Sequence, residues 1–365
     1  MRGKGAPDYA LLIFILTLVM AGVVMVYSAS FPLSLSRHGH GWFFAIRQLL
    51  WALAGLIALT VASYINYRKW QQASSVLLLV TVLLLLALYV PGIGVTVQGS
   101  TRWINLGLFN MQPSEVAKAT LVMWIAAYLA AQPDRLRHFW QGTLPILAVT
   151  ALVAGLIFDQ PDLGTAVAIV LVACLVLFVG GLPWGQIVSL GFLGSGLLAL
   201  GIRTAEYRLE RFMAFLDPWQ DPLDTGYHII QSLFAIGLGG AFGRGLGESI
   251  QKIFFLPEPH NDFIFAIINE EWGFIGGFVI VSLFGAVAWR GLRIAARAPD
   301  RFSALLATGL TSMIVAQAFI NMAVVTGVMP VTGITLPFIS YGGSSLLVVM
   351  GSAGILLNIS KFCRE

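Results

Sequence analysis

In Pro257-Glu258-Pro259-His260-Asn261-Asp262-Phe263-Ile264-Phe265-Ala266-Ile267-Ile268-Asn269-Glu270-Glu271-Trp272-Gly273, an aspartate, a histidine and paired glutamates stand at the mouth of a long apolar run. Asp262 precedes the run directly, so the spacing sets it at the first turn of a helix. A carboxylate there can cap the helix and meet the positive end of its dipole. It can also serve as a general base, partly shielded from water, its pKa raised by desolvation and lowered by nearby cations. The two roles are compatible. Along a straight helix Glu270 lies roughly 12 Å deeper and about 80° around from Asp262, which puts it on the wall of the same cavity. Glu271 faces nearly the opposite side. It is expected to pair inside a helix bundle, because acids within a membrane line polar cavities or find a base.

A second constellation joins Gly99-Ser100-Thr101-Arg102-Trp103-Ile104 to Gln112-Pro113-Ser114-Glu115-Val116-Ala117-Lys118. Pro113-Ser114-Glu115 reads as a helix start with an acid in its first turn. Glu115 and Lys118, at i and i+3, can meet on one face. They form either an internal ion pair holding the helix or, through Lys118 and Arg102, a seat for an anionic group. Arg suits phosphate geometry well. Trp103 is an interfacial anchor or a platform for a sugar ring.

Three other stretches bear on chemistry. Asp159-Gln160-Pro161-Asp162-Leu163-Gly164-Thr165 places two acids in a tight break, where a cap before the next helix accounts for Asp162 and a divalent-cation ligand is the alternative. The run Gly237-Leu238-Gly239-Gly240-Ala241-Phe242-Gly243-Arg244-Gly245-Leu246-Gly247 invites a phosphate-loop reading, but it lacks the Gly-Lys-Ser/Thr ending and the strand-loop-helix setting. Close backbone packing is the better reading, with Arg244 and Lys252 available to an anion. Pro337-Phe338-Ile339-Ser340-Tyr341-Gly342-Gly343-Ser344-Ser345 interrupts an apolar pattern, as a polar-lined break would.

These residues need a scaffold, and composition says which kind. The chain is 58% hydrophobic and only 10% charged, with mean hydropathy +0.86. Soluble domains carry about 25% charge. The expected fold class is therefore all-α, a polytopic integral membrane protein in one domain over 1–365. A spanning helix needs roughly 20 apolar residues. Ten spans are expected, over 9–29, 43–63, 75–94, 115–131, 143–158, 165–181, 186–202, 263–288, 303–326 and 337–358. The first is read as retained rather than cleaved, because its apolar run exceeds a signal segment. Two connectors are long. One covers 92–114. The other, 203–262, lies between the seventh and eighth spans, with Tyr227-His228-Ile229-Ile230-Gln231-Ser232-Leu233-Phe234 spaced like an interfacial helix.

Charge orients the spans. With both termini cytoplasmic, the inner segments hold Arg2, Lys4, Arg68, Lys69, Arg135, Arg137, Arg290, Arg293, Arg297, Arg301, Lys361 and Arg364, twelve of the 21 basic residues. Of the 17 acids only Asp8, Asp134, Asp300 and Glu365 fall there. The net charge of +4 then reflects this bias, and no nucleic-acid partner is needed to explain it. Cys174, within a span, and Cys363, at the inner end, are not expected to pair. Chemistry is expected on the outer face, where Arg208 and Arg211 also lie.

Taken together, the motifs resemble the SEDS family (shape, elongation, division and sporulation), which includes FtsW, RodA and the stage V sporulation protein E. The most specific pieces are Arg102-Trp103-Ile104, Gln112-Pro113-Ser114-Glu115, Gln160-Pro161-Asp162-Leu163-Gly164-Thr165, Leu216-Asp217-Pro218-Trp219, Leu256-Pro257-Glu258-Pro259-His260, Asp262-Phe263-Ile264-Phe265-Ala266 and Ser340-Tyr341-Gly342-Gly343-Ser344-Ser345. Pro330-Val331-Thr332-Gly333-Ile334-Thr335-Leu336-Pro337 looks most like the FtsW and sporulation branch. Asn261 stands where the family usually has Thr, and Asn269-Glu270-Glu271-Trp272 where it has Ala-Glu-Glu-Leu.

The resemblance implies a ten-helix fold in the bacterial cytoplasmic membrane. It also implies polymerisation of lipid II into peptidoglycan strands, with a class B penicillin-binding protein as partner and membrane lipids around. The family's essential aspartate falls on Asp262, its sensitive tryptophan on Trp103, and its paired acid and base on Glu115 and Lys118. In that reading Asp262 is catalytic, and the substrate-binding candidates are Arg102, Trp103, Glu115, Lys118, Arg208, Arg211, Arg244, Lys252, His260, Glu270, Ser340 and Ser344. A divalent cation, Mg or Mn, can share the leaving-group charge, although no ligand set is legible. The competing readings are a lipid II flippase and a non-enzymatic division or sporulation scaffold.

Overall fold

The computed structural model describes residues 5–97, 100–107, 109–132, 136 and 138–363. Arg2, Lys4, Asp134, Arg135, Arg137, Arg364 and Glu365 of the charge pattern, and Gly99 of the second constellation, lie outside the described residues. The elements in chain order are α1 Tyr9–His38, α2 Phe43–Tyr64, α3 Tyr67–Ala87, β1 Gly94–Val97, β2 Ser100–Asn105, β3 Asn110–Met111, α4 Pro113–Ala131, a π turn Phe139–Thr143 running into α5 Leu144–Asp159, α6 Leu163–Val179, α7 Trp184–Arg203, α8 Glu206–Leu216, a 3₁₀ turn Pro218–Gln220, α9 Tyr227–Gly239, α10 Ile264–Ala296, α11 Arg301–Val325 and α12 Gly343–Ser360. Among the described residues nine helical stretches are long and apolar enough to cross a membrane. α6 is the shorter tenth, so each expected span has its helix. The third begins earlier than expected, at Tyr67, and the tenth later, at Gly343, because residues 337–342 are irregular.

Polar residues fix the helix ends. Asp8, Asp162 and Asp300 accept from the main-chain N–H groups of Leu11, Thr165 and Ser303 at 2.9, 3.0 and 2.9 Å. Asp300 and Ser303 form a reciprocal capping box. α1 stops at Gly39, whose φ of 75° suits glycine. The core runs through α1, α4, α6, α10, α11 and α12, where Leu11, Ile15, Ile125, Val176, Ile267, Leu306 and Leu356 are fully shielded. α7 differs: Gly201 is the one buried residue along it. The connector 92–114 holds a small antiparallel sheet in the order β1-β2-β3, which the sequence reading did not foresee.

The connector before α10 doubles back into the bundle. α9 packs along α10 and α11, with the Ser232 hydroxyl on the Val325 carbonyl at 2.6 Å and the His228 ring 5.7 Å from Phe263. The glycine run then fills a break in α10. Gly273 adopts φ 70°, ψ −170°, which interrupts the helical ladder. The run repairs it: Arg244 and Gly245 donate their N–H groups to the carbonyls of Glu270 and Glu271, both at 3.0 Å. The N–H groups of Phe274 and Ile275 bond to the carbonyls of Gly240 and Ala241 at 2.9 and 3.2 Å. Irregular backbone at membrane depth is tolerated only when other protein groups satisfy it in this way. The approach also excludes side chains, since a Cβ on Gly243, already at φ 80°, would lie 2.2 Å from the Glu271 carbonyl oxygen. Gly243→Ala is therefore expected to destabilise the protein by about 1–3 kcal/mol from backbone strain alone, read as lower thermal stability in detergent. An unchanged midpoint would show that the segment is not needed to complete α10.

Candidate active site

Asp262 sits where four segments meet. The helix that follows starts at Ile264, and its N-cap position is held by Phe263 without a side-chain bond. Asp262 therefore does not cap α10, and its carboxyl is left for other work. The residue is half-buried. A Cβ on Gly333, a glycine with φ 73°, would lie 3.6 Å from Oδ2, so the 330–342 segment forms one wall of the site. The Asp262 carbonyl accepts a bond from the Asn321 amide at 2.7 Å.

The α5–α6 break comes to the same place. Gly164, at the start of α6, packs so tightly on the 330–342 segment that a Cβ there would lie 2.8 Å from the Thr332 carbonyl oxygen. One oxygen of Asp162 caps α6, and the other faces Arg102 Nη1 at 4.0 Å and Gln112 Nε2 at 3.4 Å. Arg102, on β2, donates to the main-chain carbonyls of Gln160, at 2.9 Å, and Pro161. The sheet thus serves to hold one guanidinium over the break.

Electrostatics follow from this placement. Burial pushes the Asp262 carboxyl up to about 6, and the charges of Glu258 and Asp162 add to the rise, while Arg102 and Arg211 oppose it. Glu258 is itself held by the Asn261 amide at 2.6 Å. His260 is buried against the rings of Phe44 and Tyr341. Burial, helped by Arg37, pushes it down to about 4, so it is neutral at pH 7.

Several residues that the sequence marked as substrate-binding lie elsewhere. Glu270 does not line the Asp262 cavity. It is fully buried, taking bonds from the Ser249 hydroxyl at 2.5 Å and the Ile250 N–H at 2.8 Å, because the returning segment folds over it. Lys252 is buried too and pairs with Glu271 at 2.8 Å, with Ser28 of α1 bonded to both. It is not free to meet an anion there. Lys118 pairs with Glu115 at 2.9 Å and donates to Gln317, all three being buried. Arg208 lies over the Phe158 ring at 3.9 Å and bonds the carbonyls of Gly201 and Phe158, closing the ends of α7 and α5. Arg244 is exposed beside the glycine run. Trp103 is half-buried on β2, opposite Val95. The buried Ser340 hydroxyl bonds the Asn261 carbonyl at 2.7 Å, which fixes the residue before Asp262. Ser344 accepts from the Gln112 N–H at 3.4 Å.

The structure thus gathers Asp262, Asp162 and Arg102, together with Gln112, Thr332 and Gly333, while Glu258 and the exposed Arg211 of α8 act on the Asp262 carboxyl through their charges. Sequence reasoning missed Gln112 as a neighbour of Asp162, and it missed Gln317 and Asn321 altogether. The available signal was their i, i+4 spacing in an otherwise apolar span, since polar groups at that depth face the bundle interior. Among the described residues no three His, Cys, Asp or Glu side chains come together as a metal would require.

A bundle of membrane-length helices, with a returning segment that completes α10 and a half-buried carboxyl at the start of that helix, defines a multi-pass integral membrane protein. The FtsW/RodA/SpoVE family model, described as "Cell cycle protein", matches residues 9–365, and the chain belongs to this family. It is 44% identical over 362 residues to Stage V sporulation protein E of Bacillus subtilis (strain 168), covering 99% of each chain. It is also 44% identical over 364 residues to the probable peptidoglycan glycosyltransferase FtsW of Geobacter sp. (strain M18), covering 100% of this chain and 99% of the relative. Among solved structures, a chain described under "Structural coordination of polymerization and crosslinking by a peptidoglycan synthase complex" superposes with a TM-score of 0.81 at 31% identity, over 97% and 98% of the two chains. The Rod shape determining protein RodA of Thermus thermophilus gives 0.73 at 29% identity, over 99% and 98%.

Proposed function

We infer that the chain is a peptidoglycan glycosyltransferase that polymerises lipid II, with Asp262 as its general base. The observation that carries this reading is a half-buried carboxyl that burial raises to about 6, facing the 330–342 wall, in a chain of this family. A base is most useful when its pKa lies near the working pH. Asp262 takes the proton of the acceptor sugar's 4-hydroxyl as that oxygen attacks the anomeric carbon of the donor. The new C–O bond forms as the bond to the lipid diphosphate breaks, and the diphosphate leaves from the opposite face with inversion. Arg102 and Arg211 are the cations placed to offset its charge. A divalent cation, Mg or Mn, would add to that charge compensation if one were bound with the diphosphate.

In this reading the site opens on the outer face of the bacterial inner membrane, both termini are cytoplasmic, and the crosslinking partner is a class B penicillin-binding protein. The assay is purified protein with lipid II, with and without that partner. Glycan polymer supports the reading. Transport without lengthening would instead support a flippase, and activity from neither would leave a scaffold.

The pH dependence tests the base. Asp262 must be ionised to accept a proton, so kcat/KM is expected to rise through about pH 6 and to fall roughly tenfold per unit below it. For stability the sign is opposite. The folded state holds this proton more tightly than the unfolded chain, so the carboxyl favours folding at low pH, and that contribution is lost as pH rises through about 6. A flat rate profile from pH 5 to 7 would remove Asp262 from the role.

A further inference from the structure

We propose that Asn321 of α11 is a positioning residue for the reaction, tying the main chain at Asp262 to the loop wall that faces its carboxyl. The inference rests on the reading of Asp262 as the base. The Asn321 side-chain amide has two N–H groups, and each makes a bond of 2.7 Å to a main-chain carbonyl, one of Asp262 and one of Ile334. These carbonyls belong to segments far apart in the chain. Ile334 follows Gly333, the residue against the Asp262 carboxylate. A single planar group therefore sets the distance between the base and its wall.

The tether is itself braced. Gln317, one turn earlier on α11, donates to the Thr335 carbonyl at 3.0 Å and to its hydroxyl at 3.4 Å. Its Oε1 accepts from Lys118 Nζ, which is paired with Glu115 on α4. A continuous path thus runs from the buried ion pair through Gln317, Thr335, Ile334 and Asn321 to Asp262. Gln317 and Asn321 are 2% and 1% exposed, so water does not compete for these bonds. Small misplacements of a reacting group cost as much as 10²-fold in rate. This assigns the Glu115–Lys118 pair a place behind the site, bracing the wall of the Asp262 pocket instead of touching substrate.

The test compares Asn321→Ala and the near-isosteric Asn321→Leu with the parent protein. The readouts are lipid II polymerisation, the pH–rate profile and thermal stability. The expected result is a kcat lower by about 10–100-fold with KM changed by less than about threefold. The low-pH limb is also expected to shift to more acidic values, because a loosened wall lets water reach the carboxyl. If stability falls while kcat per folded molecule and the acid limb stay at parental values, Asn321 is only a fold residue and the proposal is overturned. Asp262→Asn runs in parallel. Should it keep full activity, the reading of the base fails, whatever Asn321 does. Should it be inactive while Asn321 variants are normal, the tether alone fails.

Discussion

Asp262→Asn is expected to lower lipid II polymerisation by about 10²–10⁴-fold while leaving the protein folded and inserted. General-base catalysis contributes 10²–10⁴-fold, and an amide cannot take up the hydroxyl proton. The substitution is nearly isosteric. It also removes a negative charge from a place where Glu258 and Asp162 already oppose ionisation, so the thermal midpoint is expected to hold or rise. Glycan length on gels and melting in detergent, from one preparation, separate the two effects. Polymer at the parental rate from a folded Asp262→Asn protein would end the assignment. An inactive protein that had also lost its melting transition would call for Asp262→Glu, which keeps the charge and moves it by one methylene.

Lys252→Met is expected to produce the largest loss of stability, about 3–5 kcal/mol. Its ammonium is buried against Glu271, whose side chain is fully shielded. Removing the lysine leaves a carboxylate whose remaining side-chain partner among the described residues is the Ser28 hydroxyl, 2.6 and 2.8 Å from its two oxygens. The double variant Lys252→Met/Glu271→Gln is expected to recover a large part of the loss, because no unpaired charge then remains. Hydrogen exchange should show the change first in residues 240–256, which the pair fastens to α1 and α10. Equal stability of the single variant and the parent would mean that the pair is dispensable for the fold.

Much of the fold was legible in the sequence because the bilayer imposes a length and a polarity on each span. All ten spans were found that way. Their ends were less certain: 337–342 is as apolar as a helix, but Ser340 and Gly342–Gly343 let it run as loop. The small sheet was hidden because its strands are short: the alternation of Val95 and Val97 about Thr96 covers only one strand, and β2 and β3 show none. At the site, Asp262, Arg102 and the Glu115–Lys118 pair could be picked out by type. Their relations could not. Glu270 and Lys252 are the instructive cases. Helical geometry put Glu270 on the Asp262 wall by extending α10 back to Asp262, whereas the helix starts at Ile264 and a returning segment claims both glutamates. Lys252 looked like a surface cation because nothing local shows that its charge is spent on a helix yet to come. Such long-range pairings leave no periodic trace. The tether at Asn321 joins two loops far apart in the chain, and the one trace it left was the spacing of four from Gln317 within an apolar span.

The repair of α10 also constrains biosynthesis. Ribosomes deliver Gly240 to Gly245 before Glu270 to Ile275, so the patch is made ahead of the gap it closes. Until the later stretch emerges, the N–H groups of Arg244 and Gly245 and the carbonyls of Gly240 and Ala241 lack the partners they have in the finished fold. Docking of residues 237–256 is thus a late event, and insertion of the helices by itself does not complete a competent molecule.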